Sequence, residues 1–143
     1  MATSSMSRLR ILIGTWNTAG EVLETAAGPA STLMASDTYR WLPGEHFVVH
    51  EADARFGSTV SRSMEVLGYD AATRQYWSTS YDDRGKSERF QLALQGRSWQ
   101  IDGDSARFRG QFSLDMSELS GLWELREPDG HWQPWIKLKL VRA

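Results

Sequence analysis

Apolar and polar residues alternate along most segments of this chain, and this period of two constrains the fold more than any other feature. The clearest segment is residues 131–142, where three apolar side chains alternate with lysines: Ile136, Leu138 and Leu140. Residues 89–94 and 106–114 show the same alternation. Because successive side chains of a β-strand point to opposite faces, each segment is predicted to be a strand with one buried face and one wet face, as in antiparallel sheets.

Sequences that favour turns divide these segments at intervals of about eight to twelve residues. They are rich in glycine, proline and aspartate and occupy residues 26–29, 42–45, 55–58, 69–74, 82–85, 102–104 and 128–130. Such short connections join neighbouring antiparallel strands, and a long meander curls until its two edges meet. The sequence therefore predicts an all-β fold, an antiparallel up-and-down β-barrel of roughly ten strands.

Evidence of helix is confined to the N-terminal segment. A short helical turn, capped by Ser5 or Ser7, is predicted to precede Gly14. Residues 1–7 are expected to be flexible. The length of 143 residues fits one domain, residues 1–143, with a core large enough to be stable without covalent staples.

Composition excludes several classes of function. The chain contains no cysteine, which excludes disulfides and thiolate chemistry and fits a cytoplasmic location. A net charge of −2 without a basic cluster predicts no nucleic-acid partner. No apolar run approaches the ~20 residues of a membrane span, and no secretory signal is recognisable, so no membrane association is expected. The three histidines show no metal-ligand spacing, so no metal site is predicted.

Asp70 follows Gly68-Tyr69 at the start of a predicted turn, where it is either a general base or a turn residue. Aspartate at such a position accepts hydrogen bonds from the amides that follow it, so we interpret Asp70 as the corner of a hairpin. Asp82 and Asp129 are interpreted in the same way. Because no nucleophile elbow, phosphate loop or Cys/His dyad occurs either, no catalytic residue is predicted.

Two longer motifs resemble a known protein family. Residues 67–85, LGYDAATRQYWSTSYDDRG, and residues 122–142, LWELREPDGHWQPWIKLKLVR, are similar to the bacterial domain of unknown function 1579. The matching positions are Tyr76, Asp82, Gly85, Trp123, Glu124, Asp129, Gly130 and Trp132. This resemblance implies a calycin-like barrel and no settled activity.

The opening Gly14-Thr15-Trp16 resembles the start of the calycins, which include the lipocalin and fatty-acid-binding barrels. That resemblance implies that Trp16 plugs the floor of the barrel beside a basic residue of the last strand, either Arg142 or Lys137.

The haem-binding nitrobindins are a further calycin family with a related opening. They carry a glycine where this chain has Thr18, and their iron ligand is a histidine near the C-terminus. The only late histidine here, His131, belongs to a turn. No cofactor is predicted, and haem bound through His50 is kept as an alternative.

The candidate ligand-binding residues are aromatic, methionine and histidine side chains within the predicted strands: Trp16, Met34, His50, Met64, Trp77, Tyr81 and Trp123. Aromatic side chains offer large apolar contact areas, and methionine adapts to varied ligand shapes. His50 and Glu51 are consecutive, so only one of them can face the lumen. The apolar neighbours on both faces leave open which one does.

The predicted function is binding of a small, largely apolar molecule in the lumen, without covalent chemistry. One alternative is an enzyme that cyclises or isomerises a small hydrophobic substrate by confinement. A lumen acid–base pair with perturbed pKa values would favour the enzyme, and a fully apolar lumen would favour binding. The other alternative is a filled barrel with a structural or interaction role, which predicts a homodimer formed through Trp41, Trp132 or Trp135.

Overall fold

The alternating segments form the strands of a closed barrel in the computed structural model, which describes residues 3–143. The ten strands are β1 (Gly14–Val22), β2 (Ser31–Trp41), β3 (Val48–Phe56), β4 (Thr59–Asp70), β5 (Gln75–Asp82), β6 (Ser87–Gln95), β7 (Ser98–Asp102), β8 (Ala106–Phe112), β9 (Glu118–Arg126) and β10 (Trp132–Arg142). Each strand pairs with its neighbours in the chain, and β1 closes the barrel by pairing with β10. The predicted up-and-down barrel is confirmed.

The turns between strands use their aspartates as the sequence predicts. The Asp70 carboxylate accepts a hydrogen bond from the backbone N–H of Ala72 at 2.9 Å. Asp82 accepts bonds from two following amides, and Asp129 accepts one. The interpretation of these residues as hairpin corners is therefore confirmed.

The N-terminal helical turn consists of α1 (Ser4–Ser7) and a 3-10 helix (Arg8–Leu12). The capping residue is Thr3 rather than Ser5 or Ser7, because the Thr3 Oγ1 accepts from the N–H of Met6 at 3.2 Å. The Met6 side chain is only 3% exposed and belongs to the core. The expectation that residues 1–7 are flexible stays a prediction: Met6 packs in the core, Thr3 and Ser4 are exposed, and residues 1 and 2 lie outside the described part.

The helices close one end of the barrel through contacts with its core. Leu9 and Leu12 are buried there, and the hydroxyl of Tyr76 donates to the carbonyl oxygen of Ser5 at 2.5 Å. None of the helical segments within residues 3–143 has the length and apolar character needed to cross a membrane.

Trp16 and Arg142 form the floor at this end. Trp16 is 1% exposed, and its indole N–H donates to the carbonyl of Leu12 at 2.9 Å. The Arg142 guanidinium lies 4.0 Å from the centre of the Trp16 ring. The basic partner of the floor tryptophan is thus Arg142, and Lys137 lies on the exposed face of β10.

Candidate functional site

One row of directly paired residues crosses five neighbouring strands, β2 to β6. It contains Tyr39, His50, Glu65, Ser80 and Glu88. Residues paired directly across strands present their side chains on the same face. Tyr39 belongs to the hydrophobic core, so the whole row, called the lumen row below, faces the interior of the barrel.

His50 is held between two carboxylates in this row. Its Nε2 lies 2.7 Å from Asp37 Oδ1, and its Nδ1 lies 2.8 Å from Glu65 Oε1. The second oxygen of Asp37 accepts a hydrogen bond from the hydroxyl of Thr18 at 2.5 Å. The four residues come from four adjacent strands, β1 to β4. They form one continuous hydrogen-bonded network across the lumen wall.

The geometry of this network favours a protonated His50. A neutral imidazole has one N–H, whereas hydrogen bonds from both ring nitrogens to carboxylates require two. Burial by itself lowers the pKa of His50, but the hydrogen bonds to Asp37 and Glu65 and the charges of these residues outweigh burial. Together these effects raise the pKa of His50 to about 9. His50 is therefore an imidazolium at neutral pH.

Tyr39 lies flat against the His50 ring. The two ring centroids are 3.9 Å apart, and the planes differ by 9°. Burial, together with the nearby charges of Glu65 and Asp37, raises the pKa of the Tyr39 hydroxyl well above its ordinary value. The tyrosine remains neutral, and its ring covers one face of the cation.

The inward side chains of the network keep a small exposed surface. The side chains of His50, Asp37 and Glu65 keep 16%, 11% and 15% exposure. Because the strands form a closed wall, an inward side chain is exposed only where the lumen holds space. The helix end is filled by side chains such as Leu9, Trp16 and Phe112, but the lumen is not filled at the level of His50.

Two inward polar groups near the network have no hydrogen-bond partner among the described residues. They are the hydroxyl of Ser78, which is 0% exposed, and the Oε2 oxygen of Glu88. Ser78 pairs with Leu67 and Phe90, both core residues. This pairing places Ser78 on the inner face, diagonally adjacent to the lumen row.

The wall formed by β6 to β9 is apolar and aromatic. The ring of Trp123 lies 6.2 Å from Phe90 and 5.4 Å from Phe108, measured between centroids. The ring of Phe108 lies across Gly110 and Gly121, where a side chain of any size would collide with it. The lumen therefore has a charged wall on β2 to β6 and an aromatic wall on β6 to β9.

Comparison with known proteins agrees with this architecture. The model of a family of proteins of unknown function, DUF1579, matches residues 2–142. The chain belongs to the DUF1579 family. The predicted family resemblance is therefore confirmed over essentially the whole chain, and a search of curated proteins finds no match.

Two solved structures show the same fold. The crystal structure of Rv2717c from M. tuberculosis is 13% identical with a TM-score of 0.71, covering 100% of this chain and 99% of that one. The S-type phycobiliprotein lyase CPES from Guillardia theta is 11% identical with a TM-score of 0.56, covering 99% of this chain and 93% of that one. At these identities the likeness concerns the fold alone.

Three of the sequence-predicted site residues of this DUF1579 protein face the interior: Trp16, His50 and Trp123. Trp16 forms the closed floor, whereas His50 and Trp123 border the part of the lumen that holds space. The question of which residue faces inward is answered by the register, which places His50 inside and Glu51 outside, next to Arg40.

The other four predicted residues lie on the outer surface. Met34, Met64 and Tyr81 are 60%, 41% and 48% exposed. Trp77 packs outside, with the Arg89 guanidinium 4.3 Å from its ring centre. The expectation that these side chains line the lumen is wrong, because each lies one residue out of phase with the inward positions of its strand. Met64 and Tyr81 instead border a shallow outer concavity of about 700 Å³.

The acidic partners of His50 and the two unpartnered groups are not predictable from local sequence motifs. Asp37, Glu65, Ser78 and Glu88 are ordinary strand residues in the sequence. Each occupies the inward parity of its strand. The signal that marks them is a polar residue at a position where the alternation requires an apolar one.

The three histidines are not arranged to serve as axial ligands of haem iron. Both ring nitrogens of His50 are engaged by carboxylates, and His46 and His131 are exposed outside the lumen. Haem ligation through His50 would require breaking one of the two hydrogen bonds, so it stays a prediction without geometric support. Within residues 3–143, no group of three or more histidine, aspartate or glutamate side chains is placed to hold a metal ion.

Proposed function

We propose that this protein binds a small molecule inside its barrel, with an apolar body against the aromatic wall and a polar group toward the lumen row. The observation that carries the proposal is the network of Asp37, His50 and Glu65. It is built into the interior of the barrel and still reached by solvent. A core built only for stability gains little from buried charges, because desolvation offsets most of their attraction.

The aromatic wall supplies the affinity in this proposal. Trp123 is only partly buried and presents its ring to the lumen, where the buried rings of Phe90 and Phe108 pack against it. Each square ångström of apolar ligand surface removed from water contributes about 25 cal/mol. The polar groups on the opposite wall fix the orientation of the ligand, as a few polar contacts do in most pockets.

Catalysis in the lumen is the second candidate, and the His50 network is the observation in its favour. A shifted pKa and a carboxylate partner are common features of acid–base residues. However, a general base needs a pKa near the working pH and a free nitrogen, whereas His50 has a pKa of about 9 and two engaged nitrogens. One barrel of the same fold is a lyase by name. Binding without turnover is nevertheless the better match to the geometry.

Native mass spectrometry of the protein as purified from cells tests the proposal, together with an absorbance spectrum of the same sample. A retained small molecule of defined mass is the expected result. A retained molecule whose mass changes on incubation would replace binding by catalysis, and a Soret band would show haem. A spectrum of the bare polypeptide from several expression hosts would contradict lumen binding.

A matched pair of variants locates the bound molecule. Ser80 and Thr79 are neighbours on β5 with opposite faces, since Ser80 pairs with Glu65 inside and Thr79 pairs with Val66 outside. Ser80→Leu fills the lumen and should abolish retention, while Thr79→Leu should leave it unchanged. Far-UV circular dichroism checks that both variants keep the barrel. Equal retention by the two variants would place the molecule outside the lumen.

A further inference from the structure

The acidic character of the lumen wall sets the chemistry of the ligand. Three inward carboxyl groups, those of Asp37, Glu65 and Glu88, face one inward imidazolium, that of His50. Among residues 3–143, the other inward cation of the barrel strands is Arg142, which donates at the floor to the carbonyl oxygens of Ile11, Ile13 and Met116. The middle of the lumen therefore carries an excess of negative charge.

Glu88 belongs to the lumen row but not to the hydrogen-bonded network around His50, and one of its carboxylate oxygens has no donor among the described residues. Its Oε1 lies 3.8 Å from the ammonium of Lys86, whose side chain is 68% exposed. Its Oε2 is buried, and none of the described residues donates a hydrogen bond to it. A buried carboxylate oxygen without a donor costs more free energy than an unsatisfied neutral group. A cationic donor at this point would remove that cost.

Ser78 gives an independent indication of a ligand at the same place. Its hydroxyl is fully buried, inward-facing and without a hydrogen-bond partner among residues 3–143. Ser80 pairs directly with both Glu65 and Glu88, so Ser78, two residues along the same face of β5, is diagonal to both carboxylates. Diagonal neighbours on a sheet lie about 7–8 Å apart, within reach of one bound group.

We infer that the lumen ligand carries a protonated amine, which donates to the Glu88 carboxylate and the Ser78 hydroxyl after small side-chain rotations that expose these two buried oxygens, while its apolar body packs on Phe90 and Trp123. This inference rests on the proposed lumen binding and adds the class of ligand. An ammonium group has three N–H donors and no acceptor, so it suits an arc of oxygens. The aromatic faces of Phe90 and Trp123 favour a neighbouring cation as well as an apolar body.

Three soluble probes of the same shape test the charge preference: 4-phenylbutylamine, 4-phenylbutanol and 4-phenylbutyrate. Isothermal titration calorimetry should show the amine binding about tenfold or more tightly than the alcohol, as one charge-assisted hydrogen bond predicts. The carboxylate should bind more weakly than the alcohol. Equal affinities for the amine and the alcohol, or tightest binding of the carboxylate, would overturn the inference and leave lumen binding intact.

Glu88→Gln supplies the second measurement, with Glu51→Gln as its matched control on the outer face of β3. Glu88→Gln should reduce the affinity for the amine to that for the alcohol, without weakening the alcohol. Glu51→Gln should keep the wild-type preference. A preference that persists in Glu88→Gln overturns the assignment. Failure of all three probes to bind also overturns the amine inference, whereas the retained-ligand experiment alone decides whether the lumen binds a molecule.

Discussion

Tyr39 stacks on His50 with 3.9 Å between the ring centroids, and the two rings are nearly parallel. The stacked tyrosine is neutral, because burial and two nearby carboxylates raise the pKa of its hydroxyl. The histidine beneath it is charged, since Asp37 and Glu65 each accept a hydrogen bond from its ring. His50 is thus held as an imidazolium in the lumen wall. Its protonation should affect the free energy of unfolding and the charge that a ligand meets.

The stability of the protein should depend on pH through His50. Its pKa is 6.5 in an unfolded chain and about 9 in the barrel, so the folded state binds the proton more tightly. The resulting stabilisation is fully present below pH 6.5 and is lost as the pH rises through about 9. The free energy of unfolding, measured with urea across this window, should fall by an amount on the order of 3 kcal/mol.

His50→Gln is the control for this pH dependence. The variant lacks the titrating group. Subtracting its free energy of unfolding from that of the wild type at each pH therefore removes the contributions of all other residues. In parallel, ¹⁵N NMR of the wild-type ring at neutral pH should show two protonated nitrogens. Identical pH dependence in the two proteins would contradict the assignment of the raised pKa to His50.

Thr18 should contribute to stability through its bond to Asp37. Thr18→Val keeps the shape of the side chain but removes the only hydroxyl donor to Asp37 Oδ2 recorded within residues 3–143. The free energy of unfolding should fall by about 1–3 kcal/mol, since a buried carboxylate oxygen loses its donor. Thr15→Val, on the exposed face of the same strand, should change it by less than about 0.5 kcal/mol. Equal effects of the two substitutions would argue against a buried charged network.

The barrel itself was predictable because its signals are local. Alternation in segments such as residues 131–142 depends only on which face of a strand is buried, and turns such as residues 128–130 show their aspartate and glycine directly in the sequence. A meander also needs no long-range connection, so neighbours in the chain are neighbours in the sheet. The order and closure of the strands therefore followed from the sequence.

The site was less predictable because its residues meet only through strand register. Asp37, His50 and Glu65 lie on three strands, and nothing in the sequence shows that they are paired. In β3 the parity was ambiguous since Val48 and Val49 are both buried, one on each face. Trp77 was assigned to the lumen by its size, but it is accommodated outside, against the backbone of Gly68 and the Arg89 side chain.

Arg142→Lys should destabilise the closed end of the barrel. The guanidinium donates to the carbonyl oxygens of Ile13 at 2.7 Å and Ile11 at 2.6 Å, and it also covers the ring of Trp16. The ammonium of lysine is a point charge, which cannot donate to both carbonyl oxygens and lie flat on the Trp16 ring at the same time. The expected loss in the free energy of unfolding is about 2–3 kcal/mol, with a change in near-UV circular dichroism from Trp16. Arg126→Lys, exposed on β9, is the control, and a loss of the same size there would contradict the specific role of Arg142.

Gly121→Ala should disturb the aromatic wall of the lumen. A Cβ at this position would lie 2.6 Å from the backbone oxygen of Arg109 and would also overlap the ring of Phe108. Phe108 is 2% exposed and cannot move away without displacing Trp123, its neighbour in the wall. The free energy of unfolding should therefore fall by about 1–3 kcal/mol, as for other overpacked cores. The fluorescence of Trp123, identified by comparison with Trp123→Phe, should shift as well.

Gly28→Ala is the matched control for this substitution. An added Cβ at Gly28 meets no heavy atom of the described residues within 4 Å, and no left-handed φ is recorded there. It should change the free energy of unfolding by less than about 0.5 kcal/mol and leave the retained molecule in place. If Gly121→Ala likewise leaves the free energy of unfolding and the fluorescence of Trp123 unchanged, then Phe108 does not hold Trp123 in position. The aromatic wall would in that case not be the surface that shapes the ligand.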